Sequence, residues 1–180
     1  LQNLMKDLNF LYQDKPALYV KDNMPEGFEW MNCISSQECR VAYVRKADRP
    51  EDTLLVIANF AGAEQEFMLG VPYAGKYKEI LNTDNQKYGG KAKTAAKAIA
   101  SVDEEADGRE NAIFAKIAPL SLVIYSYVPF TEKEKQEIAR KKAEEVARKV
   151  AQQAKEAAAR AKAEAEEAAK QAQEAAKKAE

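Results

Sequence analysis

The segment Asp52-Thr53-Leu54-Leu55-Val56-Ile57-Ala58-Asn59-Phe60 decides the fold of this chain. Its apolar run at residues 54–58 is too short to span a membrane and is rich in branched residues, which favours a strand. Turn-forming residues precede the run at 48–52 and follow it at 61–64. A continuous apolar run between two turns is typical of a strand that is covered on both faces. The sequence therefore predicts a central strand here, with the other residues up to 130 arranged around it.

Shorter apolar or alternating runs predict six further strands, at residues 28–32, 39–45, 65–69, 76–81, 112–118 and 121–128. Residues 91–101 have a helical composition, but eleven residues make a marginal helix, so we expect an irregular segment with a strand at most at 99–102. Apolar residues at helical spacing predict a helix over residues 1–12, which Pro16 ends. Seven or eight short antiparallel strands predict a mainly β fold, an antiparallel β-sandwich preceded by a short helix.

Composition excludes several classes of function. The net charge of −1 gives no basic field for nucleic acid. Histidine is absent, which removes the side chain most used for zinc and for proton transfer at neutral pH, and we expect no metal and no cofactor. Cys33 and Cys39 can face each other across a hairpin. The low number of cysteines in the chain and the absence of a signal peptide weigh against a disulfide between them. Without a membrane segment, the expected location is cytoplasmic.

The composition changes abruptly after Phe130. Every glycine, proline, cysteine and aromatic residue precedes that point, whereas seventeen of residues 131–180 are alanine among Lys, Glu, Gln and Arg. These are good helix formers, and Thr131 and Glu134 have the spacing of a capping box. Apolar positions recur every eleven residues, a period close to that of a straight helix. We predict one solvated helix of about 75 Å rather than a coiled coil, because alanine buries little area.

Several segments, taken in order, are similar to a known family. They are LMKDLNFLY at 4–12, KPAL at 15–18, GFEW at 27–30, LVIANF at 55–60, GVP at 70–72, GKYKEILNTD at 75–84 and YGG at 88–90. Together they resemble the C-terminal all-β domain of 1,4-α-glucan (glycogen) branching enzymes, which belong to the α-amylase superfamily (glycoside hydrolase family 13). The sequence APL at 118–120 departs mildly from the Pro-Pro-Leu usual in those enzymes. The resemblance covers roughly residues 1–128.

The resemblance implies three regions: the end of the last barrel helix at 1–15, the C-terminal β-sandwich domain at 16–130 and an Ala/Lys/Glu-rich extension at 131–180. It also implies a parent enzyme that forms α-1,6 branches by transferring glucan chains. That chemistry requires a (β/α)₈ barrel of about 250 residues and two carboxylates about 5 Å apart. None of the family's catalytic motifs is present, so we expect a non-catalytic fragment that is inactive alone. The start on an uncapped leucine stripe, without Met, also suggests a segment of a longer chain.

Four aromatic residues are candidates for stacking on the glucose rings of an α-glucan: Tyr73, Tyr88, Tyr77 and Trp30. Large aromatic residues more often pack in cores, and Tyr73 and Tyr88 are the better candidates because they lie beside turn glycines. The leucines of the first helix are expected to be partly core and partly the contact with the parent's barrel; they are Leu1, Leu4, Leu8 and Leu11. The acidic residues at 103–107 predict a solvated loop, since they lack the ligand spacing of a calcium loop.

A second class of function remains open at this stage. The chain can also be a binding or interaction module, natural or engineered, whose β domain presents the long helix. Barrel motifs encoded upstream of Leu1 would decide for the branching-enzyme fragment, which is the interpretation we favour.

Overall fold

The computed structural model describes residues 1–32, 36–92 and 98–178, with the side chains of the last helix as far as Ala157. Its contacts define two units, Leu1–Phe130 and Thr131–Glu180. The described residues of the first unit hold helix α1 (Gln2–Asp14) and eight strands: β1 (Phe28–Asn32), β2 (Arg40–Arg45), β3 (Leu54–Asn59), β4 (Gln65–Val71), β5 (Gly75–Asn82), β6 (Ile99–Ala100), β7 (Asn111–Ile117) and β8 (Ser121–Pro129). The second unit holds helix α2 (Glu132–Lys178).

The strands form two antiparallel sheets. Six strands pair in the order β1-β2-β3-β8-β5-β6, and β4 pairs with β7 in the second sheet. Apolar side chains from both sheets fill the space between them, among them Leu55, Ile57, Leu69, Val71, Ile113 and Tyr125. The predicted β-sandwich is confirmed.

Strand β3 occupies the interior position that its sequence predicts. It pairs with β2 on one side and β8 on the other, and every one of its residues is buried. Leu55 and Ile57 belong to the core between the sheets. Leu54 and Val56 point to the opposite face, where they form a second apolar cluster with Ile124. Both faces of β3 are therefore covered, which explains why its sequence has no polar alternation.

Helix α1 covers that second cluster. Leu4, Leu8 and Leu11 pack against it, whereas Leu1 is 90% exposed. Pro16 follows the helix and begins a short 3₁₀ turn that carries the buried Ala17. Three of the four leucines expected at a barrel contact thus pack, at least in part, on the chain's own sheet.

The acidic residues of the loop after β6 are exposed, as expected of a solvated loop, and Asp107 is in addition hydrogen-bonded to two strands. The carboxylate of Asp107 accepts hydrogen bonds from the Gly70 backbone N–H (2.9 Å) and from Nδ2 of Asn32 (3.0 Å). Gly70 permits this approach, because a Cβ there would lie 2.1 Å from the carbonyl oxygen of Ala106. In the described part of the chain, no group of three or more Asp, Glu or Cys side chains has the arrangement of a metal site.

Two predictions fall on residues outside the description. The first is the contact between Cys33 and Cys39, because the structure does not describe Cys33. The second is the irregular segment at 91–101, of which residues 93–97 are not described. The strand expected at 99–102 consists of Ile99–Ala100, followed by an isolated antiparallel bridge between Val102 and Ala112.

Helix α2 begins at a reciprocal pair of hydrogen bonds. The Thr131 N–H donates to Glu134 Oε2 (2.9 Å), and the Glu134 N–H donates to Thr131 Oγ1 (3.4 Å). The 47 residues of α2 span about 70 Å. Its larger apolar side chains remain outside any core; for example, Val150 is 60% exposed. Among the described helices, none combines the length and apolar content that a bilayer-spanning segment requires.

Candidate functional site

Of the four candidate aromatic residues, Tyr77 lies in the interior and Tyr73 lies partly buried beside it. Tyr77 is fully buried, and its hydroxyl donates a hydrogen bond to the Tyr73 carbonyl oxygen (2.9 Å). Burial raises the pKa of Tyr77 well above its usual range. The Tyr73 ring is half-buried against the same core, 5.3 Å from the Tyr127 ring. Tyr77 has no exposed face for a sugar, which corrects its assignment as a glucan contact, because the two-residue alternation of β5 turns it inward.

Trp30 lies in an exposed group of three aromatic rings, which we call the aromatic patch: Phe28, Trp30 and Tyr43. The Trp30 ring is 4.9 Å from the Phe28 ring and 5.9 Å from the Tyr43 ring. Antiparallel pairing of β1 with β2 sets Trp30 opposite Tyr43, and Phe28 lies two residues away on the same face. Trp30 itself is 48% exposed. Sequence reasoning selected Trp30 alone, although the i,i+2 spacing of Phe28 on a predicted strand could have revealed the pair.

An ion-pair network fixes the backbone under the aromatic patch. The Glu29 carboxylate contacts both Lys46 and Arg109, and Arg109 Nη2 donates a hydrogen bond to the Trp30 carbonyl oxygen (3.3 Å). Burial raises the pKa of Glu29, but the hydrogen bonds from Lys46 and Arg109 outweigh it and lower the pKa overall. Because β1 is an edge strand, these contacts supply support that a second neighbouring strand would otherwise give.

Tyr88 is held by a structured loop after β5. Asn85 Oδ1 accepts a hydrogen bond from the Lys87 N–H (2.9 Å), and Gly89 has a left-handed backbone with φ 95°. The loop directs Tyr88 towards α1, where its hydroxyl donates a hydrogen bond to Asp7 Oδ2 (2.5 Å). Lys87 Nζ lies 2.5 Å from the same oxygen.

These contacts shift the pKa values of both partners. The hydrogen bond from Lys87, and then that from Tyr88, lowers the pKa of Asp7. Burial and the Asp7 carboxylate raise the pKa of Tyr88 to about 12. Asp7 is therefore an ionised acceptor and Tyr88 a protonated donor at neutral pH.

A cleft of about 590 Å³, the Tyr88 cleft, runs between α1 and this loop. Its lining mixes aromatic, aliphatic and charged groups, including Asp7, Phe10, Asp14, Ile80, Lys87 and Tyr88. A second cleft of about 450 Å³ lies where Leu8 and Tyr12 of α1 face Phe28 and Tyr43 of the aromatic patch. Helix α1 thus forms a wall of both clefts. The sequence gives no sign of this, because the residues of α1 are far along the chain from the strands and the loop that they face.

The sequence model of the family described as "Alpha amylase, C-terminal all-beta domain" matches residues 30–128, which include the aromatic patch beyond Phe28 and the Tyr88 loop. The chain belongs to this family. Residues 131–180 lie beyond the range that the family model matches.

Relatives within this family carry the name 1,4-alpha-glucan branching enzyme GlgB. The chain is 40% identical to the protein of Aliivibrio fischeri over 126 residues, which cover 69% of this chain and 18% of the relative. It is 34% identical over 128 residues to that of Prochlorococcus marinus (71% and 17%) and 32% identical over 142 residues to that of Oceanobacillus iheyensis (78% and 22%). The chain spans about a fifth of the length of these curated relatives.

Proposed function

We propose that this chain is the non-catalytic C-terminal part of a 1,4-α-glucan branching enzyme, in which the β-sandwich braces the catalytic barrel. The observation that carries the proposal is the similarity to several GlgB proteins over 126 to 142 residues that amount to only about a fifth of their length. The remaining four fifths leave room for the barrel that branching chemistry requires. The predicted cytoplasmic location is part of the same proposal.

The surface proposed for this contact is the exposed flank of α1 beside its packed leucines. Leu1, Met5 and Tyr12 are 90%, 50% and 55% exposed on a helix whose other side packs on the sheet. Tyr12 lines the same cleft as Phe28, so the apolar surface continues towards the aromatic patch. Contiguous exposed apolar surface of this kind marks an interface. Leu4, Leu8 and Leu11 then contribute indirectly, because they hold in place the helix that presents this surface.

A chimera tests the bracing role. The full chain replaces the matched region of the Aliivibrio fischeri enzyme, and branching is followed by the iodine spectrum of amylose. We expect the chimera to branch and the isolated chain to leave the spectrum unchanged. Met5→Lys should lower the thermal stability of the chimera's catalytic part, whereas Phe114→Lys, which changes a residue of β7 that is 60% exposed, should not. Branching by the isolated chain would contradict a non-catalytic role, and equal effects of the two lysines would contradict the interface.

The proposal includes weak glucan contact at the three candidates that keep exposed surface, Trp30, Tyr73 and Tyr88. Stacking on an open surface gives at best a millimolar site, about −4 kcal/mol. Trp30 is the only tryptophan of the chain, so its fluorescence reports on the aromatic patch directly. We expect maltoheptaose to change that fluorescence with a millimolar midpoint. A spectrum that stays constant at tens of millimolar sugar would exclude the patch as a contact.

The scaffold that presents a long helix remains a second candidate, because the larger apolar side chains of α2 are exposed, such as Ile138 at 44% and Val146 at 54%. Removing residues 131–180 from the chimera separates the two functions. A brace should keep its effect without α2, whereas an interaction module would lose its partner.

A further inference from the structure

We propose that the turn at residues 106–109, which we call the edge latch, prevents this chain from pairing edge to edge with a second copy of itself. Among the described strands, β1 ends the larger sheet, and β4 pairs with β7 alone. The latch is hydrogen-bonded to both β1 and β4. The surface that it protects is the outward edge of β4, and the partner that this edge fits is β4 of a second copy.

The backbone of β4 faces outward at every second residue. Gly70 lies opposite Ala112 in the ladder with β7, and the N–H and C=O of Ala112 both bond to Val102 on the other side of β7 (3.0 and 2.8 Å). In an antiparallel ladder, such a pair exchanges no hydrogen bonds, so Gly70 directs its backbone groups away from β7. Alternation gives Glu66 and Met68 the same direction. This row of donors and acceptors is a template for another strand.

The backbone of Trp30 faces outward from β1 in the same way. Three residues earlier, the Gly27 carbonyl oxygen accepts a hydrogen bond from the Lys46 N–H beside β2 (2.9 Å). Backbone direction alternates along a strand, so Trp30 directs its N–H and C=O away from β2. The outward edges of β1 and β4 thus each carry polar backbone groups that need partners.

The edge latch occupies one outward group on each strand. The carboxylate of Asp107 accepts a hydrogen bond from the Gly70 N–H (2.9 Å), and Arg109 Nη2 donates one to the Trp30 carbonyl oxygen (3.3 Å). Glu29 pairs with the same guanidinium and holds it in place. A donor of β4 and an acceptor of β1 are therefore satisfied by side chains, which offer no ladder to a further strand.

The latch has a preformed shape and a matching seat. Ala106 and Arg109 exchange two backbone hydrogen bonds (3.0 and 2.9 Å), and Asp107 and Gly108 between them have φ values of 50° and 70°. Two positive φ values are those of a tight type I′ turn, which the sequence Asp-Gly favours. The seat is Gly70, whose missing Cβ leaves room for the Ala106 carbonyl oxygen. The turn can therefore lie directly against the edge of β4.

Strand β4 suits pairing with its own copy. In an antiparallel pair centred on Met68, Glu66 of one copy lies opposite Gly70 of the other, so no carboxylate faces another carboxylate directly. Pairing of this kind uses the same edge in both copies and closes as a two-fold dimer. The edge latch, seated on Gly70, blocks one end of that pairing.

Sedimentation velocity of the full chain tests the latch. Asp107→Ala/Arg109→Ala removes both contacts and keeps the net charge of the chain. Its apparent mass should rise with concentration and approach twice that of the wild type, because the outward edge of β4 becomes available to a second copy. Glu105→Ala/Lys78→Ala is the matched control, since both residues are exposed and it also removes one charge of each sign. It should leave the apparent mass at the wild-type value.

A proline distinguishes strand pairing from general aggregation. Met68→Pro removes an outward N–H of β4 and leaves the hydrogen bonds of the ladder with β7. Added to the latch variant, it should return the apparent mass to the wild-type value. The denaturation midpoint, followed by Trp30 fluorescence, verifies that the variants are folded.

Hydrogen exchange of the wild type tests the latch without any substitution. The Gly70 N–H, which donates to Asp107, should exchange more slowly than the Met68 N–H on the same edge. If the latch variant does not fold, this comparison decides alone. Four results would overturn the proposal: equal exchange at the two amides, an unchanged mass in the folded latch variant, an equal rise in the control, or a rise that Met68→Pro does not reverse.

Discussion

The described residues of the two units, which divide after Phe130, form regular structure by opposite means. In the first unit, β3 pairs with β8 across about 60 intervening residues, and side chains such as Leu55 and Ile57 are fully buried. In the second, contacts are local: Glu137 pairs with Lys141 (2.9 Å) and Glu145 with Lys149 (2.7 Å). Among the described side chains of α2, all but Glu134 are exposed.

The difference teaches where each unit is vulnerable. A domain held by distant contacts unfolds cooperatively, so the loss of one buried contact lowers the stability of the whole domain. A helix held by local hydrogen bonds loses only the turns near a change and frays from its ends. Substitutions of similar chemistry should therefore have very different effects in the two units.

The largest contrast is expected from apolar truncation. Leu55→Ala removes a fully buried side chain and should lower the free energy of unfolding by about 3 kcal/mol, since it leaves a cavity in the core. Val150→Ala truncates a side chain that is 60% exposed and should not change the stability of the β domain. Urea unfolding followed by Trp30 fluorescence measures both. A comparable loss in Val150→Ala would show that the two units unfold as one.

A smaller effect is expected where the acidic loop meets β4. Gly70→Ala brings a Cβ to 2.1 Å from the Ala106 carbonyl oxygen and should cost about 2 kcal/mol of unfolding free energy through displacement of the loop. Gly62→Ala is the control, because nothing lies within 4 Å of its Cβ position. Thermal unfolding distinguishes them. If Gly70→Ala were as stable as Gly62→Ala, the loop would not be held closely against the strand.

The helix cap should affect α2 alone. Thr131→Ala removes the side chain that accepts the Glu134 N–H and should destabilise the start of the helix by about 1 kcal/mol. Circular dichroism at 222 nm should fall slightly, while the urea midpoint of Trp30 fluorescence stays constant. A shift of that midpoint would contradict the independence of the two units.

The smallest effect is expected from the ion pair between Asp7 and Lys87, which is comparable in the first unit to the ion pairs of α2. Its folded pKa lies below the ordinary 3.8 because of Lys87 and Tyr88, so its contribution to stability is present above that value. The contribution is lost as the pH falls through the folded pKa. The difference in stability between the wild type and Asp7→Asn should therefore be present at pH 7 and diminish as the pH falls below 3.8. In Tyr88→Phe, NMR titration should give a higher Asp7 pKa; an unchanged value would show that the hydroxyl contributes nothing.

Most of the fold could be predicted because each strand carries its own pattern. The alternation in β5 and the unbroken apolar run in β3 place both strands to within one or two residues. The direction of the leucine stripe was harder, since Leu4, Leu8 and Leu11 suit any apolar surface. They pack on the cluster around Val56 because the folded sheet exposes an apolar face there.

The candidate site was less predictable because its contacts are distant in sequence. Tyr88 and Asp7 are 81 residues apart, and no local pattern connects them. Trp30 and Tyr43 meet only through the pairing of β1 with β2. The burial of Tyr77 could have been foreseen, because it stands between Lys76 and Lys78 in a strand whose side chains alternate between the two faces.

The sheet order also determines how long β3 waits for its neighbour during translation. Strand β8 is the last of the eight to be made, yet it lies between β3 and β5 and joins the two halves of the larger sheet. At translation rates of about 5–20 residues per second, the roughly 60 residues between β3 and β8 take about 3–12 s to appear. During that interval the most apolar strand of the chain has one edge without its neighbour. For those seconds the free edge of β3 can pair with a wrong strand, and it is protected only when residues 121–129 form β8 beside it.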